Sequence, residues 1–109
     1  MKKGSYKICC FDCEEKKPYA KIVDGYIIDH PSGFMFGVTY KNGSWHVTEL
    51  FTGLLVSQSS KPIKKKEDIF PYIDSIIDVV SDTIKRNPKY IDRLNNVEVR
   101  NDNFEENLF

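Results

Sequence analysis

The stretch FMFGVTYKNGSWHVTEL, residues 34–50, decides the fold. At its centre Asn42-Gly43 is a preferred two-residue hairpin turn, because both positions tolerate positive φ. A turn there sets the register of the flanking strands. Tyr40 opposes Trp45, Val38 opposes Val47, Phe36 opposes Glu49 and Phe34 opposes Phe51. Side chains alternate along a strand, so these four pairs share one face, apolar and aromatic except for Glu49. The other face carries Thr39 with His46, Gly37 with Thr48 and Met35 with Leu50, and is mostly polar. The pattern predicts an antiparallel sheet covered on one side and solvated on the other.

Upstream, SYKICCF at 5–11 alternates weakly and reads as a first strand, and DCEEKKP at 12–18 as a polar turn. YAKIVDGYIIDH at 19–30 reads as two strands broken at Asp24-Gly25, a strong turn dipeptide between apolar runs. HPSG at 30–33 supplies a further turn. Downstream, Thr52-Gly53 turns the chain into a short strand within 52–58.

SSKPIKKK at 59–66 is a polar, basic connection, and a helix follows it. Ile69, Tyr72, Ile73, Ile76, Ile77, Val80 and Ile84 recur at three- and four-residue steps, the stripe of a helix laid on a sheet. Pro71 fits its first turn and Asn87-Pro88 stops it. Asn87 can cap a short second helix to about Asn95, with Tyr90, Ile91 and Leu94 as its apolar positions. Residues 97–109 read as an edge strand or a tail. The expected fold is α+β: an antiparallel β-meander of four to five strands, one long amphipathic helix packed on one face and a short second helix. Burying Tyr40, Trp45, Phe34 and Phe51 beneath the long helix would contribute roughly 1.5–3 kcal/mol per side chain.

At 109 residues the chain reads as a single domain, 1–109, since two halves could not each bury a core. A composition 40% hydrophobic and 29% charged excludes a disordered chain. No apolar run approaches the ~20 residues of a bilayer span, so no membrane association is expected. MKKGSYKICCF has a basic tip but lacks the apolar run of a signal peptide. Three cysteines, two adjacent, make no disulfide framework, and a cytoplasmic home fits best.

Charge is zero overall but unevenly placed: residues 1–66 carry a balance of +5 and residues 67–109 a balance of −5. Such asymmetry can orient a partner or a second copy of the chain. Thirteen lysines against three arginines argue against bidentate readout of guanine or phosphate, where arginine is preferred.

The candidate chemistry is thin. Cys10 and Cys13 form a CxxC with Cys9 beside it, but zinc needs four ligands, and His30 and His46 lie far downstream. Two pairs joined across a dimer would complete a Cys₄ site; incidental thiols are the plainer reading, and no cofactor is expected. His46 falls on the polar face and His30 in a turn. Glu49 is the one charge on the aromatic face; a desolvated carboxylate could serve as a base, but at the sheet end it can equally reach water or a lysine. With no second catalytic group beside it, the chain is not expected to be an enzyme.

Asp74, Asp78 and Asp82 share one helix face, where like charges cost a few tenths of a kcal/mol per pair. They read either as a solvated face or as an acidic ridge for a basic protein surface. Lys61, Lys64, Lys65 and Lys66 read as a phosphate-contacting loop, an alternative set back by the expected burial of the neighbouring rings.

WHVTELFTGLLVS, residues 45–57, followed by KKKEDI and a helix, resembles a segment of small phage and prophage proteins of low-GC Gram-positive bacteria. Trp45, Val47, Thr48, Glu49, Thr52 and Gly53 carry the resemblance, which spans about a quarter of the chain; the helix diverges, with Pro71 early in it. The resemblance implies a mobile-element accessory protein, and such proteins often bind and block a host or defence-system protein, CRISPR nucleases included. The functional expectation is therefore a non-catalytic protein-binding module, working alone or as a homodimer. A nucleic-acid-binding module is the alternative, and a zinc site shared through the cysteines stands third.

Overall fold

The computed structural model describes residues 2–57, 61–89 and 94–100. Consecutive strands are neighbours in an antiparallel sheet: β1 (Lys2–Asp12), β2 (Lys17–Asp29), β3 (Met35–Lys41), β4 (Ser44–Glu49) and β5 (Leu54–Leu55). A turn of 3₁₀ helix, Lys66–Asp68, leads into the helix α1 (Ile69–Arg86), and β6 (Glu98–Arg100) pairs parallel with β2. The class is α+β.

The central hairpin has the register set by its turn: Phe36 opposes Glu49, Val38 opposes Val47 and Tyr40 opposes Trp45. Asn42 and Gly43 both hold positive φ, 53° and 80°. Farther along, the Cys9 amide donates to the Gly53 carbonyl at 2.7 Å, linking β1 to the turn before β5. The sheet thereby curls into a half-barrel with a core on each side.

On the helix side, Ile69 and Ile73 of α1 share a buried cluster with Ile28, Phe36, Val38 and Val47. Aliphatic and aromatic groups of this size contribute roughly 1.5–3 kcal/mol each when buried. The concave side departs from expectation. Tyr6, Ile8, Cys10 and Tyr19 are buried there, packed by Val23, Ile27 and Leu50, so the face read as solvated is a second core. The hairpin alone could not reveal this, because the apolar groups arrive from β1 and β2 as the sheet curls. Burial pushes the Tyr6 phenol above its ordinary pKa, and its hydrogen bond to Thr39 Oγ1 opposes that shift.

Two further expectations are corrected. Asp24-Gly25 is no turn: β2 runs unbroken from Lys17 to Asp29 through both residues. Glycine is required there by crowding, since a Cβ would lie 2.4 Å from the Val38 carbonyl oxygen. Asp24 accepts a hydrogen bond from Ser5 across the β1–β2 pair, at 2.6 Å. Second, Tyr40 is 56% exposed and Phe51 47% exposed, so neither lies under α1. The helix meets the middle of the hairpin, leaving Tyr40 beyond it toward the turn, and Phe51 follows the end of β4 with its ring edge-on to Phe34.

Asn87 closes α1: its side-chain Nδ2 donates to the Thr83 carbonyl oxygen and its amide to Thr83 and Ile84. The expected short second helix falls largely on residues 90–93, outside those described. Within 97–109, β6 forms at 98–100, with Val99 opposite Ala20; residues 101–109 lie outside the described segments. Arg100 anchors β6, donating to Asp12 at 2.7 Å and to Glu15 at 3.0 Å, with its guanidinium 4.3 Å above the Tyr19 ring.

Candidate functional site

The most developed surface lies where the hairpin turn meets the lysine-rich connection. Ile63, the lone aliphatic in that connection, is buried, and the Trp45 amide donates to its carbonyl at 2.8 Å. This bridge lays residues 61–66 along the outer edge of β4. Lys64 Nζ then reaches the Gly43 carbonyl at 3.4 Å, and Lys66 Nζ stands 5.5 Å from the centre of the Tyr26 ring. A lysine over a tyrosine face is drawn by the ring's electron-rich centre.

The rings form a row. Tyr26 and Trp45 are 6.3 Å apart at 56°, and Trp45 and Tyr40 are 5.3 Å apart at 61°. Trp45 and Tyr26 are half-buried, anchored at the margin of the helix-side core, while Tyr40 projects outward. Lys3 pairs with Tyr26 in register, and directly opposed residues share a face. Lys61, Lys64, Lys65 and Lys66 are all exposed. The surface thus combines an aromatic row with lysines at its turn, along one flank and across from Tyr26.

The acidic ridge is less uniform than its spacing predicts. All three carboxylates are exposed, Asp74 at 68% of its side chain, but Asp74 Oδ1 alone of the three accepts a hydrogen bond from His30 Nε2, at 2.7 Å. His30 is buried, edge-on to Phe36. Its Nδ1 accepts from the Ser32 amide at 3.1 Å and meets the Ser32 hydroxyl at 2.7 Å, which leaves Nε2 as the protonated nitrogen of the neutral ring. Serine, histidine and aspartate therefore touch in sequence, but Nδ1 already serves the backbone of its own turn. The arrangement ties the β2–β3 turn to α1.

Glu49 is likewise reassigned: at 1% exposure it reaches neither solvent nor a lysine. Its Oε1 accepts from the Thr52 amide and hydroxyl, at 2.9 and 2.7 Å, and its Oε2 from the Phe51 amide at 2.7 Å. A carboxylate so held organises the β4–β5 turn. Glu49 and Thr52 also border an apolar groove of about 320 Å³ between β5 and α1, where Val79 stands 66% exposed.

Cys10 is buried on β1 and Cys13 is exposed in the β1–β2 turn, and none of the three cysteines is in a disulfide. Among the described residues, no group of three or more His, Cys, Asp or Glu is placed to hold a metal ion. His46 sits beneath the concave core, its Nε2 donating to the Lys41 carbonyl at 3.2 Å. Among the described residues no helix is long and apolar enough to cross a membrane.

Sequence reasoning set the lysines beside the hairpin rings, but it expected those rings to be buried and did not single out Tyr26. The one available signal was Ile63, an aliphatic inside a lysine run, which needs something apolar to pack on. Compared with protein-family models, with curated proteins and with solved structures, the chain matches none.

Proposed function

We propose that the protein is a nucleic-acid-binding module whose contact surface is the Tyr26–Trp45–Tyr40 row with Lys61, Lys64, Lys65 and Lys66. The observation that carries this reading is the exposure of Tyr40 beside Trp45, at the point where the lysine segment docks on β4. The alternative had been set back by the expected burial of the hairpin rings, and that burial is only partial: Trp45 is half-buried and Tyr40 is exposed. Lysine suits the role as a point charge attracted to phosphate without base specificity. The exposed carboxylates Glu67 and Asp68 adjoin Lys66 in the 3₁₀ turn, so the basic character of the surface is carried by Lys61, Lys64 and Lys65 ahead of them, with Lys66 at the margin.

The test is fluorescence anisotropy of a labelled oligonucleotide across a salt series. Three to four lysine–phosphate contacts on a single strand give a slope of log K against log salt of about −2 to −3. Lys64/65/66→Ala should abolish most of the binding and flatten the slope. Absence of any salt-dependent binding by the wild-type chain at low salt would refute the reading.

A second reading, a protein-binding module acting through α1, is favoured by exposed Val79 on the rim of the apolar groove, near exposed Asp78 and Asp82. In this reading the module modulates a host or defence protein, as the phage resemblance implies. Capture of one cytoplasmic protein by the wild-type chain, lost in a Val79→Asp, Asp78→Asn, Asp82→Asn variant, would support it.

A further inference from the structure

We infer that the surface takes unpaired bases, so that its ligand class is single-stranded nucleic acid, held by stacking on Tyr40 with its phosphates on the lysines; this rests on the nucleic-acid reading above. In a duplex the base faces are covered by their neighbours, and only edges and backbone are offered. An exposed aromatic face gains nothing from backbone alone, whereas an unpaired base can lie flat on it.

The ring geometry specifies the mode. Adjacent rings are inclined at 56° and 61° with centres 6.3 and 5.3 Å apart, so neither adjacent pair forms parallel plates able to sandwich a base. Trp45 is half-buried at the centre of the row, inclined to the ring on either side. Tyr40, 56% exposed, offers the open face. A base on Tyr40 leaves its neighbouring phosphates near the turn, where Lys64 Nζ lies 3.4 Å from the Gly43 carbonyl. Lys66, drawn to Tyr26, marks the other end of the row. Because every base has a π-face, this mode discriminates strandedness more than sequence.

The experiment compares one labelled twelve-nucleotide DNA, free and annealed to its complement, against the wild type, Tyr40→Phe and Tyr40→Ala. Tyr40 is exposed, so both variants should fold; their unfolding midpoints verify this. The single strand should bind at least tenfold more tightly than the duplex and should quench Trp45 fluorescence. Tyr40→Phe keeps the ring and should bind like wild type. Tyr40→Ala should weaken single-strand binding by about 5- to 150-fold, the span of one lost stacking contact, with the salt slope unchanged. Equal or tighter binding of duplex, with the salt slope intact, would overturn the stacking inference and leave the nucleic-acid reading standing. No binding of either form would overturn both.

Discussion

The ring of Tyr6 lies directly against the α-carbon of Gly37: a Cβ built on Gly37 would come within 2.6 Å of three ring atoms. Contacts that short cannot be relieved by a rotamer change, because the ring is wedged beneath the curled sheet. Gly37→Ala should therefore destabilise the fold by about 1–3 kcal/mol, the range for overpacking a core. Urea unfolding would show a lower midpoint, and combining Gly37→Ala with Tyr6→Leu should recover part of it. A wild-type midpoint in the single variant would mean the ring can move aside.

The same ring makes stability fall at alkaline pH. Burial raises the Tyr6 pKa, so the phenol stays protonated in the folded chain after it would ionise in the unfolded one. Its contribution is complete below the unfolded value of about 10 and is lost as pH rises through the higher folded value. Tyr6→Phe should cost about 0.5–1.5 kcal/mol at neutral pH, through loss of the hydrogen bond with Thr39, and should flatten the decline above pH 10. Unfolding midpoints measured from about pH 8 to 11 check both effects.

Glycines at 25 and 37 explain why the sequence was legible in one direction only. The central hairpin is local: Asn42-Gly43 sets its register and alternation sets its faces, so every pair from Phe36–Glu49 to Tyr40–Trp45 could be read in advance. Asp24-Gly25 has the same local signature, but its glycine answers to Val38, thirteen residues on, and to Tyr6 of the neighbouring strand. Long-range crowding leaves no local mark. The same holds at the candidate surface: the lysine run, Tyr40 and Trp45 are evident singly, while the Trp45–Ile63 bridge that assembles them depends on how the connection returns to β4.

Asp74 should prove different in kind from Asp78 and Asp82. Replacing it by alanine removes the acceptor from the buried Nε2 of His30 and should cost about 1–3 kcal/mol, the penalty of a stranded buried donor. Asp74→Asn keeps an acceptor and should cost less. Asp78→Ala and Asp82→Ala change only exposed positions and should stay within about 0.5 kcal/mol of wild type. Denaturant midpoints of the four variants decide the matter; equal midpoints would mean that solvent replaces Asp74 as the acceptor of His30 Nε2.

The anchor of β6 should weaken in acid. Hydrogen bonding from Arg100 holds the Asp12 and Glu98 carboxyls below their ordinary pKa values, and Lys17 assists at Glu98. A depressed carboxylate contributes stability above its unfolded pKa and loses it as pH falls through the lower folded value. These contacts should therefore persist at neutral pH and fail progressively below about pH 4. Lys17, raised chiefly by the hydrogen bond it donates to Glu15, gives way only above about pH 10.5. Amide exchange at Val99 should accelerate at low pH beyond the intrinsic rate and with added salt, and Arg100→Met should remove both responses. An unchanged protection factor in that variant would show that β6 is held by its pairing to β2 alone.

Glu49→Gln tests the turn on which the closure of the sheet depends. The two carboxylate oxygens accept from the Phe51 amide, the Thr52 amide and the Thr52 hydroxyl. A glutamine has one such oxygen; its amide nitrogen, placed either way round, must face at least one of those donors. One backbone N–H of the turn then loses its acceptor, at about 1–3 kcal/mol. For a domain of this size each kcal/mol lowers the melting temperature by about 4–8 °C. The effect should spread beyond the turn, because Gly53, two residues after Phe51, accepts the Cys9 amide that joins β1 to this end of the sheet. Thermal unfolding should therefore show a lower midpoint, and the Cys9 amide should exchange faster than in the wild type. A lower midpoint with Cys9 still protected would confine the role of Glu49 to its own turn, and an unchanged midpoint would mean that the buried carboxylate is not what holds the turn.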